Sequence, residues 1–179
     1  VVGITGSNGK STVTTLLAAM IASADMKVSM GGNIGTPALD LVSDVTDLYV
    51  LELSSFQLET LVSLPMEVAV ILNISPDHLD RYADLNSYVW TKQIIYENAK
   101  KLVVNRDDAL ASAKLSLNKE VIGFTLNEPE DNDFGVRCYG DRSWLCHGQE
   151  KLLPAASLKI KGQHNVANAL AALAMGSLL

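Results

Sequence analysis

The chain has 179 residues, 48% of them hydrophobic and 19% charged, enough to bury a core as one domain or one domain with a small appendage. Fourteen Lys and Arg against twenty Asp and Glu give a formal net charge of −6 with no basic cluster. That balance argues against a nucleic-acid partner, and any phosphate must be attracted by a local site rather than by the overall field. Cys138 and Cys146 lack metal-ligand spacing and read as reduced thiols of a cytoplasmic protein, and no apolar run reaches the ~18 residues that a membrane span requires. The chain opens on an apolar strand with neither an initiating methionine nor a signal peptide, and it reads as a segment of a longer protein.

Residues 1–5 read as that strand, and Gly6-Ser7-Asn8-Gly9-Lys10-Ser11-Thr12 follows with the layout of a phosphate-binding loop. Glycines let the backbone turn so that several N–H groups face one concavity. The next helix contributes the positive end of its dipole, Lys10 a full charge, and Ser11 a hydroxyl of the kind that ligates magnesium. The strict pattern G-x-x-x-x-G-K-[ST] is not met, because Ile4 stands five positions before Gly9. The loop is therefore a variant, unlike that of an ordinary GTPase or kinase.

Residues 10–24 carry Leu16, Leu17, Met20 and Ile21 at helical spacing, and residues 27–30 form a short strand ending in Gly31-Gly32-Asn33-Ile34-Gly35. Residues 48–53 and 67–74 are continuous apolar runs, the mark of parallel strands buried on both faces. A helix is expected over 87–99, a strand over 101–105, a helix from the Asp107-Asp108 cap to about residue 115, and a strand over 121–124. Beyond the polar loop 128–133, short alternating pieces at 134–139, 143–146 and 151–153 predict antiparallel hairpins forming a small satellite sheet. Residues 161–165 then lead into an alanine-rich helix over 166–179. The alternation predicts an α/β fold, a mostly parallel sheet with helices on both faces plus a small antiparallel sheet near 134–153, with ligands bound at the carboxyl ends of the strands.

The chemistry-bearing residues fall at those ends. Glu52 closes an apolar strand, where an unpaired buried charge is costly but a carboxylate beside a magnesium ion is favoured; a solvent-pointing side chain is the alternative. The run Asn73-Ile74-Ser75-Pro76-Asp77-His78-Leu79-Asp80-Arg81 concentrates two acids, an imidazole and a guanidinium. Gly32 and Asn33 lie in a glycine turn suited to a pyrophosphate, or in a plain turn. His164, Asn165 and Asn168 open the last helix, where Asn168 could meet a purine edge and Asn165 could serve as N-cap. Composition alone makes Lys92 a solvated lysine on a helix face.

Taken together, Thr5-Gly6-Ser7-Asn8-Gly9-Lys10-Ser11-Thr12, Gly32-Asn33-Ile34-Gly35, Glu52-Leu53-Ser54-Ser55-Phe56-Gln57-Leu58-Glu59, Asp77-His78-Leu79-Asp80-Arg81 and Gly162-Gln163-His164-Asn165 resemble the central ATP-binding domain of the Mur ligases over essentially the whole chain. The Glu52 to Glu59 run is most similar to the branch that adds D-glutamate to UDP-N-acetylmuramoyl-L-alanine in peptidoglycan precursor synthesis. The resemblance implies a single central domain over 1–179. An amino-terminal domain for the uridine nucleotide and a carboxyl-terminal domain for the amino acid would be missing, so the segment alone would not ligate. It also implies ATP and Mg2+ as cofactors and an acyl-phosphate intermediate. Lys10 would cradle phosphates, Ser11 and Glu52 would hold one magnesium, and His78 with a carbamylated Lys92 would serve the second. Gly32, Asn33 and Ser54 would face the nucleotide substrate, and His164, Asn165 and Asn168 the adenine side of ATP. Folylpolyglutamate synthases share this mechanism, and a non-catalytic nucleotide-binding module is the alternative outside enzymes.

Overall fold

A computed structural model describes residues 1–76, 81–112 and 118–179. Strand β1 (Val2–Thr5) feeds helix α1 (Lys10–Ala22), which returns to β2 (Val28–Gly32). A short 3-10 turn (Ala38–Leu41) precedes β3 (Leu48–Glu52), which is followed by helix α2 (Ser55–Glu59), β4 (Met66–Ile71), helix α3 (Leu85–Glu97), β5 (Ala99–Asn105) and β6 (Glu120–Phe124). Strands β7 (Phe134–Tyr139), β8 (Arg142–His147) and β9 (Glu150–Pro154) lead to the last helix, α4 (Gln163–Ser177). The sheet order is β2-β3-β1-β4-β5-β6-β7-β8-β9, parallel from β2 to β7 and antiparallel through β7, β8 and β9.

The pleat explains why the central strands read as unbroken apolar runs. Val2 and Ile4 of β1, with Val50, Val68 and Val70, pack against α1 and α4, whereas Leu51, Ala69 and Ile71 pack against α2 and α3. Between Val2 and Ile4 sits Gly3, where a Cβ would run into the side chains of Met66 and Ile95, so α3 lies close on this face. The crossover after β1 thus leaves toward one face and those after β3 and β4 toward the other. The resulting crevice lies at the carboxyl end of β1, between its two neighbours.

Several elements differ from expectation. The strand expected over 67–74 stops at Ile71, so Leu72 to Ser75 are free to form a loop beside β1. Residues 107–112 are turns, not the start of a helix: Asp108 Oδ1 accepts from Leu110 N (2.9 Å) and Ala111 N (3.1 Å), a local turn that competes with helix formation. The remainder of that expected helix falls at 113–117, outside the described residues. Helix α2 was not foreseen because it is short; Ser54 and Gln57 form a reciprocal capping box that starts it. The hairpins join the main sheet at Phe124 and Phe134 rather than standing apart as a satellite.

That junction is fastened by Asp133, which is buried and accepts from Arg106 Nε (2.8 Å), Arg106 Nη2 (3.2 Å) and Gly123 N (2.6 Å). Asp133→Ala removes the partner of a buried N–H and of a guanidinium at the point where one register pair alone links β6 to β7. Urea denaturation is expected to register a loss of about 2–3 kcal/mol. A loss within ~0.5 kcal/mol, the range of an ordinary surface change, would mean that the junction does not depend on this carboxylate.

Candidate nucleotide-binding site

Gly9 takes φ 85° immediately before α1, the left-handed region that glycine tolerates, and a Cβ there would collide with the carboxamide of Asn168. The first helical bond runs from Val13 N to Gly9 O (3.0 Å), so the N–H groups of Lys10, Ser11 and Thr12 have no partner within the helix. These donors and the helix dipole face the crevice at the end of β1. Lys10 Nζ folds across the loop onto Gly6 O (3.0 Å) and Ser7 O (3.3 Å).

Glu52 ends β3 in register with Ile4 of β1 and Gly32 of β2, and it is 2% exposed. The carboxylate is therefore turned inward, not toward solvent, and both oxygens are engaged. Oε2 accepts from Ser11 Oγ (2.8 Å) and Oε1 from Asn33 Nδ2 (2.9 Å), while the Glu52 carbonyl accepts from Asn33 N (2.9 Å). A hydroxyl against a buried carboxylate at the mouth of a phosphate loop is a donor set that suits a hard dication. Among the described residues no group of three or more His, Cys, Asp or Glu could hold a metal. His78 falls in 77–80, outside the described residues.

Gly32 has φ 102° and donates its N–H to Thr36 O (2.9 Å), so the glycine turn lies directly beside Glu52. Ser54, two residues beyond the end of β3, is occupied as the N-cap of α2, accepting from Gln57 N (3.2 Å). Arg81 is exposed and pairs with Glu59 (3.0 Å) across the ring of Phe56.

Lys92 departs furthest from what composition suggests. It is 2% exposed, not solvated, because α3 lies over the bare backbone at Gly3 and carries Lys92 one turn before Ile95. Its Nζ donates to Gly6 O (3.1 Å), lies 3.5 Å from Thr5 Oγ1 and sits 4.7 Å from the centroid of the Tyr88 ring. Lys10 and Lys92 thus reach the same carbonyl from opposite faces of the sheet.

A cavity of about 630 Å³ adjoins the loop, lined by Asn8, Gly9, Thr12, Asn73, His164, Asn165 and Asn168 among others. Helix α4 begins at Gln163 with Gly162 at its N-cap, so Asn165 is not the cap; its Nδ2 donates to Lys161 O (2.8 Å). Asn168 is nearly buried and donates from Nδ2 to Asn165 Oδ1 (3.3 Å). The structure therefore brings Gly6 through Thr12 together with Glu52, Asn33, Lys92, Asn165 and Asn168 around one strand end. Asn73, Asn105 and Asp108 also serve this end of the sheet; the sequence reading puts Asn73 at the head of the 73–81 run and Asp108 in a helix cap, and gives Asn105 no role. Their common signal is a polar side chain at or just after the end of a parallel strand.

Residues 4–176 match the family model described as the Mur ligase middle domain. The UDP-N-acetylmuramoylalanine--D-glutamate ligase of Hahella chejuensis is 51% identical over 175 residues, and that of Pseudomonas aeruginosa 51% identical over 176, each match covering 98% of this chain. The chain spans 39% of the length of these relatives. A solved UDP-N-acetylmuramoyl-L-alanyl-D-glutamate--2,6-diaminopimelate ligase superposes with a TM-score of 0.82 at 25% identity, covering 98% of this chain and 42% of that one. The D-alanyl-D-alanyl-adding ligase of Acinetobacter baumannii, at 19% identity and a TM-score of 0.74 over 99% of this chain and 42% of its own, shares the fold. With the family model spanning nearly every residue from β1 through α4, the chain belongs to the Mur ligase middle-domain family.

Proposed function

We propose that this chain is the ATP-binding part of a longer ligase that joins D-glutamate to UDP-N-acetylmuramoyl-L-alanine in peptidoglycan precursor synthesis. The observation that carries the reading is the phosphate loop at the end of β1 with the buried Glu52 carboxylate hydrogen-bonded to Ser11 beside it. The choice of substrates is supported by the relatives' names and by identity of 51%. The partners beyond ATP would be bound largely by the parts of the ligase outside this chain.

In this reading the carboxylate of the muramoyl-alanine attacks the γ-phosphorus of ATP, the bond to ADP breaks, and an acyl phosphate forms. The amine of D-glutamate then attacks the acyl carbon and phosphate leaves. Two anions must approach, so fixed positive groups are needed at the γ-phosphoryl oxygens. Lys10 Nζ exchanges the carbonyls of Gly6 and Ser7 for phosphate oxygens, and the free N–H groups of α1's first turn orient the same phosphates. Ser11 and Glu52 would hold magnesium, which supplies positive charge against the phosphates when bound. His78 is assigned to a second ion by resemblance. His164, Asn165 and Asn168 take the adenine side, supported by the cavity they line. Gly32, Asn33 and Ser54 are assigned to the nucleotide substrate, with Asn33 retaining its Oδ1 for it.

Lys10→Ala in the full-length ligase is expected to lower kcat/KM for ATP by about 10²–10³-fold, the cost of removing one fixed donor at developing charge. Glu52→Ala is expected to raise the magnesium concentration needed for half-maximal rate by about tenfold or more, since it removes a charged ligand. Both follow from steady-state ADP release; an unchanged magnesium dependence in Glu52→Ala would remove the metal assignment.

Lys92 carbamylation belongs to the same reading. The neutral amine is the form that attacks carbon dioxide, making an N–C bond and releasing one proton to leave a carbamate anion. The support is that Lys92 is buried with its Nζ against Gly6 O of the phosphate loop. Carbon-13 NMR after labelled bicarbonate should give a carbamate signal in the wild type that Lys92→Ala lacks. Absence of the signal in fully active wild-type enzyme would return Lys92 to its role as a donor to Gly6 O.

A further inference from the structure

We propose that Asn73 is a positioning residue for the nucleotide: it fixes three successive peptide units of the phosphate loop before ATP arrives, and so aims the remaining loop N–H groups at the phosphates. This rests on the nucleotide reading above. The Ser7 N–H donates to Asn73 O (2.9 Å), the Asn8 N–H to Asn73 Oδ1 (2.8 Å), and Asn73 Nδ2 donates to Asn8 O (3.0 Å). One residue thereby holds the peptides 6–7, 7–8 and 8–9. Gly6 and Gly9 stand at the two ends of that stretch, so without such contacts the backbone would have wide freedom there.

The chemistry of the side chain matches the task. A carboxamide presents one acceptor and two donors in a single plane at fixed spacing and without charge. It can therefore bracket the N–H and the C=O of one residue at once. A carboxylate would accept from Asn8 N but repel Asn8 O, and would add negative charge beside the phosphate site. The bracket also consumes the Asn8 N–H, which leaves Gly9 and the first turn of α1 to supply the donors for phosphate.

Asn73 is itself held from both sides. Leu72 N donates to Thr5 O (2.9 Å), and Leu72 O accepts from Asn105 Nδ2 (2.8 Å). Ile74 N donates to Asp108 Oδ2 (2.7 Å), and Ser75 N to Ser7 Oγ (3.0 Å). The clamp is thus anchored through β1 on one side and through the turn after β5 on the other, while its side chain faces the cavity shared by Asn8, Gly9 and Asn168.

The test compares Asn73→Ala, which removes the bracket and the volume, with Asn73→Leu, which removes the bracket but keeps the volume. Both are made in the full-length protein, with Lys10→Ala as the reference for loss of the nucleotide site. Calorimetric titration with magnesium-ATP is expected to give a Kd raised by about tenfold or more in both Asn73 variants, because ordering of the loop is then charged to binding. Amide exchange at Ser7 and Asn8 should speed up by about tenfold while Ile4 and Val70, in the sheet, keep their rates. Binding within about twofold of wild type in both variants, or affinity restored by Leu, would overturn the clamp, the latter by making the effect one of packing. Wild-type protein that fails to bind ATP, or binds it as well after Lys10→Ala, would instead overturn the nucleotide reading and this proposal with it. Should the variants not fold, wild-type exchange without nucleotide decides: the Asn8 amide should exchange about tenfold more slowly than those of Lys10 and Ser11, and equal rates would overturn the proposal.

Discussion

A phosphate loop must leave a row of peptide N–H groups without protein partners, and yet hold them in one orientation. The solution in this chain is to secure the loop through its carbonyls, the Ser7 hydroxyl and the Ser7 and Asn8 amides. Its carbonyl at Gly6 takes Lys10 from one face of the sheet and Lys92 from the other. The Ser7 hydroxyl accepts from Ser75 N, donates to Ser75 O (3.1 Å) and lies 3.3 Å from Tyr88 Oη. Asn73 takes the Ser7 and Asn8 amides. Donors that would pair within a longer loop are thus either committed to the scaffold or reserved for a ligand, with little left between the two.

This division depends on sheet topology. Because β1 has β3 on one side and β4 on the other, the segments that follow those strands flank the loop directly. The end of β3 delivers Glu52, and the end of β4 delivers Asn73 and Ser75. Helix α3 then returns beneath β1 on the face opposite α1, where Gly3 gives it room to approach and brings Lys92 and Tyr88 to the underside of the loop. Parallel pairing is what puts all these strand ends at the same edge.

Much of this was legible in the sequence, and the exceptions have a common physical origin. Apolar runs in β3, β4 and β5 identify buried parallel strands, because both faces are covered by helices. The glycines, Lys10 and Ser11 identify the loop because their chemistry is local. Lys92 was not legible from composition: its burial is decided by how closely α3 approaches β1, a tertiary distance that no helical pattern encodes. Asp108 reads locally as a helix cap, yet it spends one oxygen on Ile74, 34 residues away in sequence, and the helix it would start gives way to a turn. Asn165 similarly looks like a cap, but Gly162 turns the chain earlier and leaves Asn165 inside the first turn. Polar side chains with two or more hydrogen-bonding groups are the ones whose partners sequence cannot assign.

Glu52 illustrates how such groups join neighbouring sites. Its oxygens are divided between the phosphate loop, through Ser11, and the glycine turn after β2, through Asn33. A buried carboxylate needs partners on both oxygens, so neither loop can move far without leaving it undersatisfied. A cation held by Oε2 and the Ser11 hydroxyl oxygen would replace one hydrogen bond with a stronger charge interaction and leave Oε1 with Asn33. The carboxylate could then serve a metal without releasing the turn at Gly32. That arrangement lets the end of β3 keep the two glycine loops in fixed relation, the condition under which groups bound to each would meet at the end of β1.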